Sequence, residues 1–571
     1  MGDHRRSALG SNGSDQRRSG PGRFGPLLVR SRPPPTRRAP LSLYDSVRRP
    51  HDVRTTLFPR KGTVVSTTEQ PAATTRPAVE VQRLRKNAVG LLGVIFMAVA
   101  TAAPITAMTG NVPMALGFGN GIGVPAGYLV ATIVLTVFSV GYVAMAKHIT
   151  AAGAFYGYIS HGLGQIAGMV AGLLATMAYV VFEASIIGFF AYSANDTFKS
   201  LAHVDIHWLW FAFFGLALNA VLTYFDINLT AKVLGVFLVT EILMLGLTSV
   251  VTLFHGGGPD GLMADTLNPA GAFSTNGLVG GAVGLGLFMC FWSWVGFEST
   301  AMYGEESRDP KRIVPRATLV SVVGIGLFYV FVSWMTVAAN GAGAPAIAAK
   351  EFAGVFFNPT GELVGAWAVD LFKILILTGS FACSMAFHNC ASRYLYALGR
   401  ENLVPGTART LGRTHPSHGS PHIAGFVQTA ISVVLVLAFF FTGMDPYVHM
   451  YTLLAVLGTL AILIVQSLCS FAVIGYFHVK KKHPETANVW RTLVAPLAGG
   501  IAMLYVVFLL FQNQEAAAGA ASDALLFRLI PWIVLAFAVL GVGLALYLKT
   551  RNPAKYDIIG RIVLEETVER D

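Results

Sequence analysis

The sequence carries little charge. Asp, Glu, Lys and Arg make up 12% of its 571 residues, whereas they make up about 25% of an ordinary soluble domain. Hydrophobic residues account for 54%, and the mean hydropathy is +0.59. Apolar runs of about 20 residues, which is long enough to cross a bilayer, recur along the chain. This composition excludes an ordinary soluble protein and predicts a multi-pass membrane protein.

Cysteine is also scarce. Cys290, Cys383, Cys390 and Cys469 all lie in apolar segments, and their spacing matches neither a metal site nor a disulfide framework. The phosphate-binding pattern GxxxxGK(S/T) does not occur, which argues against an ATP-driven pump. We find no cluster of nucleophilic or metal-ligating residues either. The sequence therefore predicts neither an enzyme nor a bound cofactor or metal.

The net positive charge belongs to the amino-terminal tail. Residues 1–86 hold 18 Lys and Arg against 6 Asp and Glu, and the remaining residues hold 23 against 24. Nucleic-acid binding by the folded part is therefore not predicted. Residues 1–82 are rich in Arg, Pro, Ser, Gly and Thr, which predicts a disordered cytoplasmic tail. Two alternatives are an arm that binds anionic lipids and a translation start near Val64 or Val65.

Twelve apolar segments are predicted to span the membrane. Basic residues cluster before the first segment and after the sixth, eighth, tenth and twelfth. Because basic loops favour the cytoplasm, we expect a cell-membrane protein with both termini in the cytoplasm. The predicted spans are Val89–Leu116, Gly123–Ala146, Ile166–Ser193, Trp208–Tyr224, Leu229–Phe254, Leu278–Tyr303, Ile313–Ala339, Leu363–Leu398, Ile423–Phe441, Tyr447–Phe477, Leu493–Phe511 and Leu526–Leu548.

Two of these spans contain features that interrupt a helix. Pro104 lies in the middle of the first span, and we expect the helix to break near Ala102–Thr106, with a kinked but continuous helix as the alternative. In Gly284–Arg316 an aromatic run meets Gly296, and Glu298 follows at once. Inside a bilayer, a break beside a carboxylate is tolerated where it lines a protein cavity. Interrupted helices in both halves of a chain indicate a transporter's binding site.

Three stretches resemble the amino acid–polyamine–organocation (APC) transporter superfamily. They read AGAFYGYISHGLG (152–164), FWSWVGFESTAMYGEESRDPKRIVPRA (291–317) and ASRYLYALGRENLVP (391–405). The resemblance implies an all-α, leucine-transporter-like fold of 12 transmembrane helices, in which spans one and six are unwound at their midpoints. The implied parts are an inverted repeat at 83–254, a second repeat at 277–478, two further helices in 490–549 and a cytoplasmic carboxy-terminal tail at 550–571.

The resemblance also implies a substrate site at the two interruptions. An amino acid brings a carboxylate and an ammonium, and both need fixed polar partners in a dry pocket. Amino-terminal ends of half-helices suit the carboxylate, and unwound carbonyls suit the ammonium. The family often has a Gly-Ser-Gly type sequence at the first interruption, and this chain has Ala-Ala-Pro. Trp292 matches an aromatic residue that closes over substrate in some relatives, and simple packing is its alternative role. The implied substrate-binding residues are Ala102, Ala103, Pro104, Ile105, Thr106, Trp292, Ser293, Trp294, Val295 and Gly296.

Three intramembrane carboxylates are candidates for coupling or structural roles. Glu298 matches the family's Gly-Phe-Glu carboxylate. It could take up and release a proton, or it could brace the broken helix through hydrogen bonds, and we favour the bracing role. Glu241 stands where many relatives have Lys, and a buried carboxylate can exchange a proton near neutral pH. We therefore expect Glu241 either to couple transport to protons or to form a hydrogen bond within the bundle. Glu183 could contact a substrate amine, a backbone group or another helix.

These features predict a secondary transporter that imports amino acids or related amines by alternating access, driven by the proton gradient. Its expected partners are a small-molecule substrate, protons and the lipid bilayer. An amino acid exchanger fits the same fold. A sensor that binds amino acids without moving them is a further alternative.

Overall fold

A computed structural model describes residues 89–150, 153–224, 227–512, 521 and 524–561. The predicted amino-terminal tail, residues 1–82, therefore lies outside the described residues. The same holds for the last ten residues of the predicted carboxy-terminal tail.

The described residues form α-helices joined by short 3₁₀- and π-helical turns, and no β-strand occurs among them. The helices are α1 Leu91–Ala102, α2 Pro104–Met114, α3 Val124–Ala146, α4 Ala154–Leu163, α5 Gln165–Leu201, α6 Trp208–Tyr224, α7 Ile227–Phe254, α8 Val283–Trp292, α9 Pro310–Asn340, α10 Ala344–Glu351, α11 Gly354–Leu363, α12 Ala366–Arg400, α13 His422–Phe441, α14 Thr452–Ile474, α15 Ala495–Gln512, α16 Leu525–Arg551 and α17 Pro553–Asp557.

Nine helical segments in the described part of the chain are long and apolar enough to cross a membrane. Two of the twelve predicted spans contain shorter helices, namely α6 Trp208–Tyr224 and the ten-residue α8 within the predicted sixth span. The predicted fifth span, Leu229–Phe254, lies within the 28-residue helix α7. The nine segments are Leu91–Gly119, Gly121–Ala146, Gln165–Leu201, Pro310–Glu351, Ala366–Arg400, His422–Phe441, Pro446–Val479, Val489–Gln512 and Leu525–Arg551.

Helix α5 lies at the centre of the bundle and packs against α12, α14 and α16. Small residues allow close approach between helices where lipid supplies no hydrophobic driving force. At Gly541 of α16, an added Cβ would lie 2.8 Å from Cα of Val170 in α5. Among the helices that carry the two interruptions, every residue of α2 and nine of the ten residues of α8 are buried.

The segment that follows α16 packs against the end of the bundle that the basic-loop pattern assigns to the cytoplasm. The backbone N–H of Gly560 donates to Oε1 of Glu401 at 3.0 Å, and the Tyr156 hydroxyl of α4 donates to the other oxygen of the same carboxylate. Ile559 is fully buried, and its carbonyl accepts a hydrogen bond from Ser160. Part of the predicted carboxy-terminal tail is thus packed structure.

Candidate functional site

The first interruption is a single residue. Helix α1 ends at Ala102 and α2 begins at Pro104, while Ala103 between them has left-handed backbone angles, φ 44° and ψ 80°. Proline suits the first position of a helix, where its missing N–H removes no intrahelical bond. The carbonyl of Ala102 accepts a hydrogen bond of 2.7 Å from the Tyr329 hydroxyl on α9. The break thus lies within the predicted range. The Ala102 carbonyl, which has lost its partner within the helix, is bound by Tyr329 instead.

The second interruption is longer. Helix α8 ends at Trp292, a tight turn covers Ser293–Gly296, and a 3₁₀ turn follows at Phe297–Ala301. Gly296 has φ 118°, a conformation that a residue with a Cβ rarely adopts. An added Cβ would lie 2.5 Å from the side chain of Thr101 in α1. The glycine therefore permits both the turn and the close approach of α1.

The Glu298 carboxylate binds the turn. Its Oε2 accepts from the backbone N–H of Gly296 at 3.0 Å, and its Oε1 accepts from the Tyr179 hydroxyl of α5 at 2.8 Å. A backbone N–H freed by a helix break needs such a partner inside a membrane. This geometry matches the bracing role that we favoured for Glu298.

A chain of polar side chains connects the two interrupted helices. Nδ2 of Asn111 on α2 donates to Oγ of Ser293 at 2.8 Å, and the Tyr451 hydroxyl donates to Oδ1 of Asn111 at 2.7 Å. The Tyr128 hydroxyl lies 2.9 Å from the same Ser293 oxygen. All four residues are buried. The polar groups in the middle of the bundle therefore converge where the two interruptions meet.

A small cavity lies at this meeting point. Its volume is about 10 Å³, which is about the space that one water molecule needs. In this conformation the cavity is too small for an amino acid. Its lining residues are Thr101, Ala102, Ala103, Thr106, Ala107, Asn111, Ile186, Trp292, Ser293, Cys383, Phe387 and Tyr451.

Half of the residues predicted to bind substrate line this cavity. Those that do are Ala102, Ala103, Thr106, Trp292 and Ser293, and those that do not are Pro104, Ile105, Trp294, Val295 and Gly296. Successive residues of a helix or tight turn point in different directions, so a continuous run cannot face one cavity. The Trp294 indole N–H, for example, donates to the carbonyl of Val322 on α9. The Trp292 ring instead lies in the cavity wall, 4.7 Å from the Tyr451 ring.

Seven further lining residues are not among those predicted to bind substrate, and they come from α1, α2, α5, α12 and the turn before α14. They are Thr101, Ala107, Asn111, Ile186, Cys383, Phe387 and Tyr451. A buried asparagine in an apolar span is a signal that could have identified Asn111, because its amide needs partners there. The other six are small, aliphatic or aromatic residues in apolar spans, and nothing in the sequence distinguishes them from packing residues.

Glu241 lies behind the first turn of α2 and does not line the cavity. Its side chain is 2% exposed, and its carboxylate accepts a hydrogen bond from the backbone N–H of Ile105. The Oε2 atom has no hydrogen-bond partner in the described part of the chain. Gly379 of α12 makes room for the carboxylate, since an added Cβ would lie 2.7 Å from Cδ of Glu241. The carboxylate thus caps the half-helix that the first interruption creates.

Glu183 lies in a separate polar cluster. Its Oε1 contacts Nδ1 of His388 at 2.9 Å and Nδ2 of Asn219 at 3.0 Å. Its Oε2 contacts Nε2 of Gln428 at 2.5 Å and Oγ of Ser432 at 2.9 Å. These contacts join α5, α6, α12 and α13 and use both carboxylate oxygens. The geometry matches the alternative in which Glu183 binds other helices.

A larger space and a buried ion pair lie on opposite sides of the cavity along α12. A larger space of about 260 Å³ lies between α2, the carboxy-terminal part of α5, α11 and α12. Tyr447 lines that space, and its hydroxyl donates to the carbonyl of Gly110 at 3.0 Å. At the opposite end, Arg393 and Glu306 form a buried ion pair at 2.9 Å. Both spaces contact α2, since Thr109 lines the larger one and Thr106 lines the cavity.

The family model for amino acid permeases matches residues 93–555, which is most of the chain and includes both interruptions. The chain belongs to the amino acid permease family. The APC resemblance is confirmed, and so is the prediction that the protein is a transporter and not an enzyme. The protein is an integral membrane protein.

Curated relatives of this permease are distant. The low-affinity putrescine importer PlaP of Escherichia coli (strain K12) is 24% identical over 440 residues, which cover 73% of this chain and 87% of PlaP. The branched-chain amino acid permease BcaP of Lactococcus lactis subsp. cremoris (strain MG1363) is 24% identical, with 68% of this chain and 82% of that protein covered. The branched-chain amino acid permease BcaP of Bacillus subtilis (strain 168) is 25% identical over 39% of this chain, and the match spans less than half of that protein, 44%.

Proposed function

We propose that this permease is a secondary active transporter that carries amino acids or related amines across the cytoplasmic membrane by alternating access. The observation that supports this most directly is the meeting of two interrupted helices in the middle of the bundle. Their polar groups converge on one small cavity lined by buried residues. In a permease, such a pair of half-helices is where a zwitterion finds both its carboxylate and its ammonium partners.

We extend the proposal to the architecture. The nine long segments, α6, α7 and the interrupted segment that contains α8 together make twelve spans, which fit two five-helix repeats and two further helices. The repeats occupy 83–254 and 277–478, with the further helices in 490–549. Both termini then lie in the cytoplasm. The space of about 260 Å³ beside α11 then opens towards the exterior of the cell.

The first turn of α2 gives the substrate carboxylate a defined place. The first N–H groups of a helix have no partner within it, and the helix dipole favours negative charge there. The Ile105 N–H is already bound to Glu241. The Thr106 hydroxyl, however, lines the cavity and has no partner in the described part of the chain. We therefore assign the carboxylate to Thr106 and the ammonium to carbonyls of the interrupted helices, with Trp292 as the aromatic wall that moves to admit them.

The proton gradient is the proposed energy source, and Glu241 is the proposed coupling group. A buried carboxylate with one unpartnered oxygen is costly while it is ionised, so it is suited to holding a proton. Because this carboxylate caps the half-helix that receives the substrate, its protonation state acts directly on the anion site.

Transport by purified protein in liposomes tests the proposal. The vesicles would receive a labelled pool of amino acids and polyamines under an inward proton gradient, under an inward sodium gradient, or with substrate loaded inside. We expect accumulation under the proton gradient. Uptake that requires only internal substrate would make the protein an exchanger. Ligand binding without uptake under all three conditions would make it a sensor.

Glu241→Gln is expected to separate coupling from transport. The amide cannot take up a proton at neutral pH, so accumulation driven by the proton gradient should fall at least about tenfold, towards simple equilibration. Exchange against internal substrate should persist, because the polar groups of the cavity remain. Both rates would be measured in the same vesicle preparation.

Glu362→Gln serves as the control, because Glu362 is an exposed carboxylate on α11. It should leave both rates unchanged. If Glu241→Gln keeps full proton-driven accumulation with an unaltered pH profile, then Glu241 is a structural carboxylate.

A further inference from the structure

The charge of the cavity wall limits the substrate class. None of the twelve lining residues is Asp, Glu, Lys or Arg. The polar atoms in the wall belong to hydroxyl and amide groups, chiefly those of Thr106, Asn111, Ser293 and Tyr451. Such groups together with free backbone groups can hold one carboxylate and one ammonium, which are the parts that all amino acids share. They supply no counter-charge for a second ionised group.

The three carboxylates nearby do not supply that charge either. Both oxygens of Glu183 are bound by side chains of other helices, and both oxygens of Glu298 are bound by Gly296 and Tyr179. Glu241 keeps one unpartnered oxygen, but it lies behind the first turn of α2 and does not line the cavity. A second ammonium in the cavity would therefore be buried without a partner, which is strongly unfavourable.

The remaining wall is apolar. Trp292 and Phe387 both pack against the Phe182 ring, with ring-centre distances of 5.9 and 5.2 Å. Ile186 of α5 and Cys383 of α12 complete this part of the wall. It is a surface against which an uncharged hydrocarbon side chain gains free energy by leaving water.

We infer that the permease selects neutral amino acids with aliphatic side chains and rejects diamines and basic amino acids. This inference rests on the proposed function, since it names the substrate class of the same cavity. It also goes beyond the named relatives, whose names include both branched-chain amino acids and putrescine.

Ligand-induced stabilisation of the purified protein tests the inference independently of transport. The ligands would be L-leucine, L-valine, L-arginine and putrescine at matched concentrations, and the readout is the melting temperature in detergent. We expect L-leucine and L-valine to stabilise the protein with apparent affinities at least about tenfold higher than those of L-arginine and putrescine. Equal or stronger stabilisation by putrescine or L-arginine would overturn the inference and leave the proposed transport function intact.

Uptake in liposomes gives the second readout. Labelled L-leucine uptake should be inhibited by excess L-valine and resist a tenfold excess of putrescine. If L-leucine binds without being taken up, then the proposed transport function fails while the inferred specificity stands.

A gain of specificity completes the test. Cys383 faces the cavity from α12, and Cys383→Asp places a carboxylate in its wall. Putrescine should stabilise this variant more than it stabilises the unmodified protein. The affinity of the variant for L-leucine should be at least about tenfold lower. The matched variant Cys383→Ser changes the same atom without adding charge and should gain no stabilisation by putrescine. If the aspartate variant does not fold, then the comparison of ligands on the unmodified protein still decides the question.

Discussion

Gly296→Ala is expected to reduce substrate uptake by at least about tenfold. A residue with a Cβ is strained at φ 118°, and the added Cβ would lie 2.5 Å from the side chain and 3.0 Å from the backbone carbon of Thr101. Backbone strain of this kind costs about 1–3 kcal/mol before any clash is counted. Relief requires the second interruption to move away from α1, which separates the two halves of the cavity. The measurement is initial uptake by equal amounts of folded protein in liposomes.

Gly324→Ala is the matched control for this change. Gly324 lies within α9, and an added Cβ there would meet no atom within 4 Å. Alanine should be accepted there and should slightly favour the helix, since glycine in a helix interior costs about 0.5–1 kcal/mol relative to alanine. Normal uptake by Gly296→Ala, with Gly324→Ala also normal, would show that the geometry of the second interruption does not set the transport rate.

Arg393→Met is expected to destabilise the protein more than removal of both members of the same ion pair. The guanidinium of Arg393 contacts both oxygens of Glu306, at 2.9 and 3.1 Å, and both side chains are almost completely buried. Removing one partner leaves a buried charge uncompensated, which typically costs about 3–5 kcal/mol. Replacing both partners by methionine removes that charge as well, and such exchanges are often close to neutral. The double variant should therefore melt at a higher temperature than Arg393→Met alone.

The exposed pair of Arg312 and Asp309 provides the comparison. Its shortest distance is 3.7 Å and its side chains are 78% and 49% exposed. Surface pairs contribute little, so Arg312→Met should leave the melting temperature nearly unchanged. If Arg393→Met also has no effect, or if the double variant is no more stable than the single one, then the buried ion pair does not hold the carboxy-terminal part of α12 in place.

Both interruptions could be predicted from the sequence because their cause is local. Pro104 cannot donate the backbone bond that a continuous helix needs, and Gly296 adopts a backbone conformation that other residues avoid. The first break, at Ala103, lies within the predicted range Ala102–Thr106. The second break lies where Gly-Phe-Glu follows an aromatic run.

The lengths of the spans were less predictable. The interruption ends α8 at Trp292 inside the bundle, so α8 is shorter than an isolated span would be. The sequence predicts a sixth span over Leu278–Tyr303 that is interrupted at Gly296. The structure divides that run into a ten-residue helix, a turn at Ser293–Gly296 and a 3₁₀ turn.

The roles of the carboxylates depend on which helices meet. Glu183, Glu241 and Glu298 are alike in the sequence, since each is an acidic residue in an apolar span. In the structure, one is surrounded by four polar side chains, one caps α2 with a single backbone contact, and one binds the turn at Gly296. Apart from the Gly296 contact of Glu298, these partners come from segments far away in the chain, so no local pattern encodes them.

The sequence by itself determined the membrane class, the family and the positions of both helix interruptions. These properties follow from composition and from a few consecutive residues. They are predictable because every bilayer requires backbone N–H and C=O groups to find hydrogen-bond partners within the protein. Only the tertiary structure decided which side chains face the cavity and which carboxylates are already bound. Asn111, Phe387 and Tyr451 join the site because α2, α12 and the turn before α14 pack together there. Packing between helices that are distant in the sequence decides which side chains face the cavity. The uncharged wall that results defines the inferred substrate class.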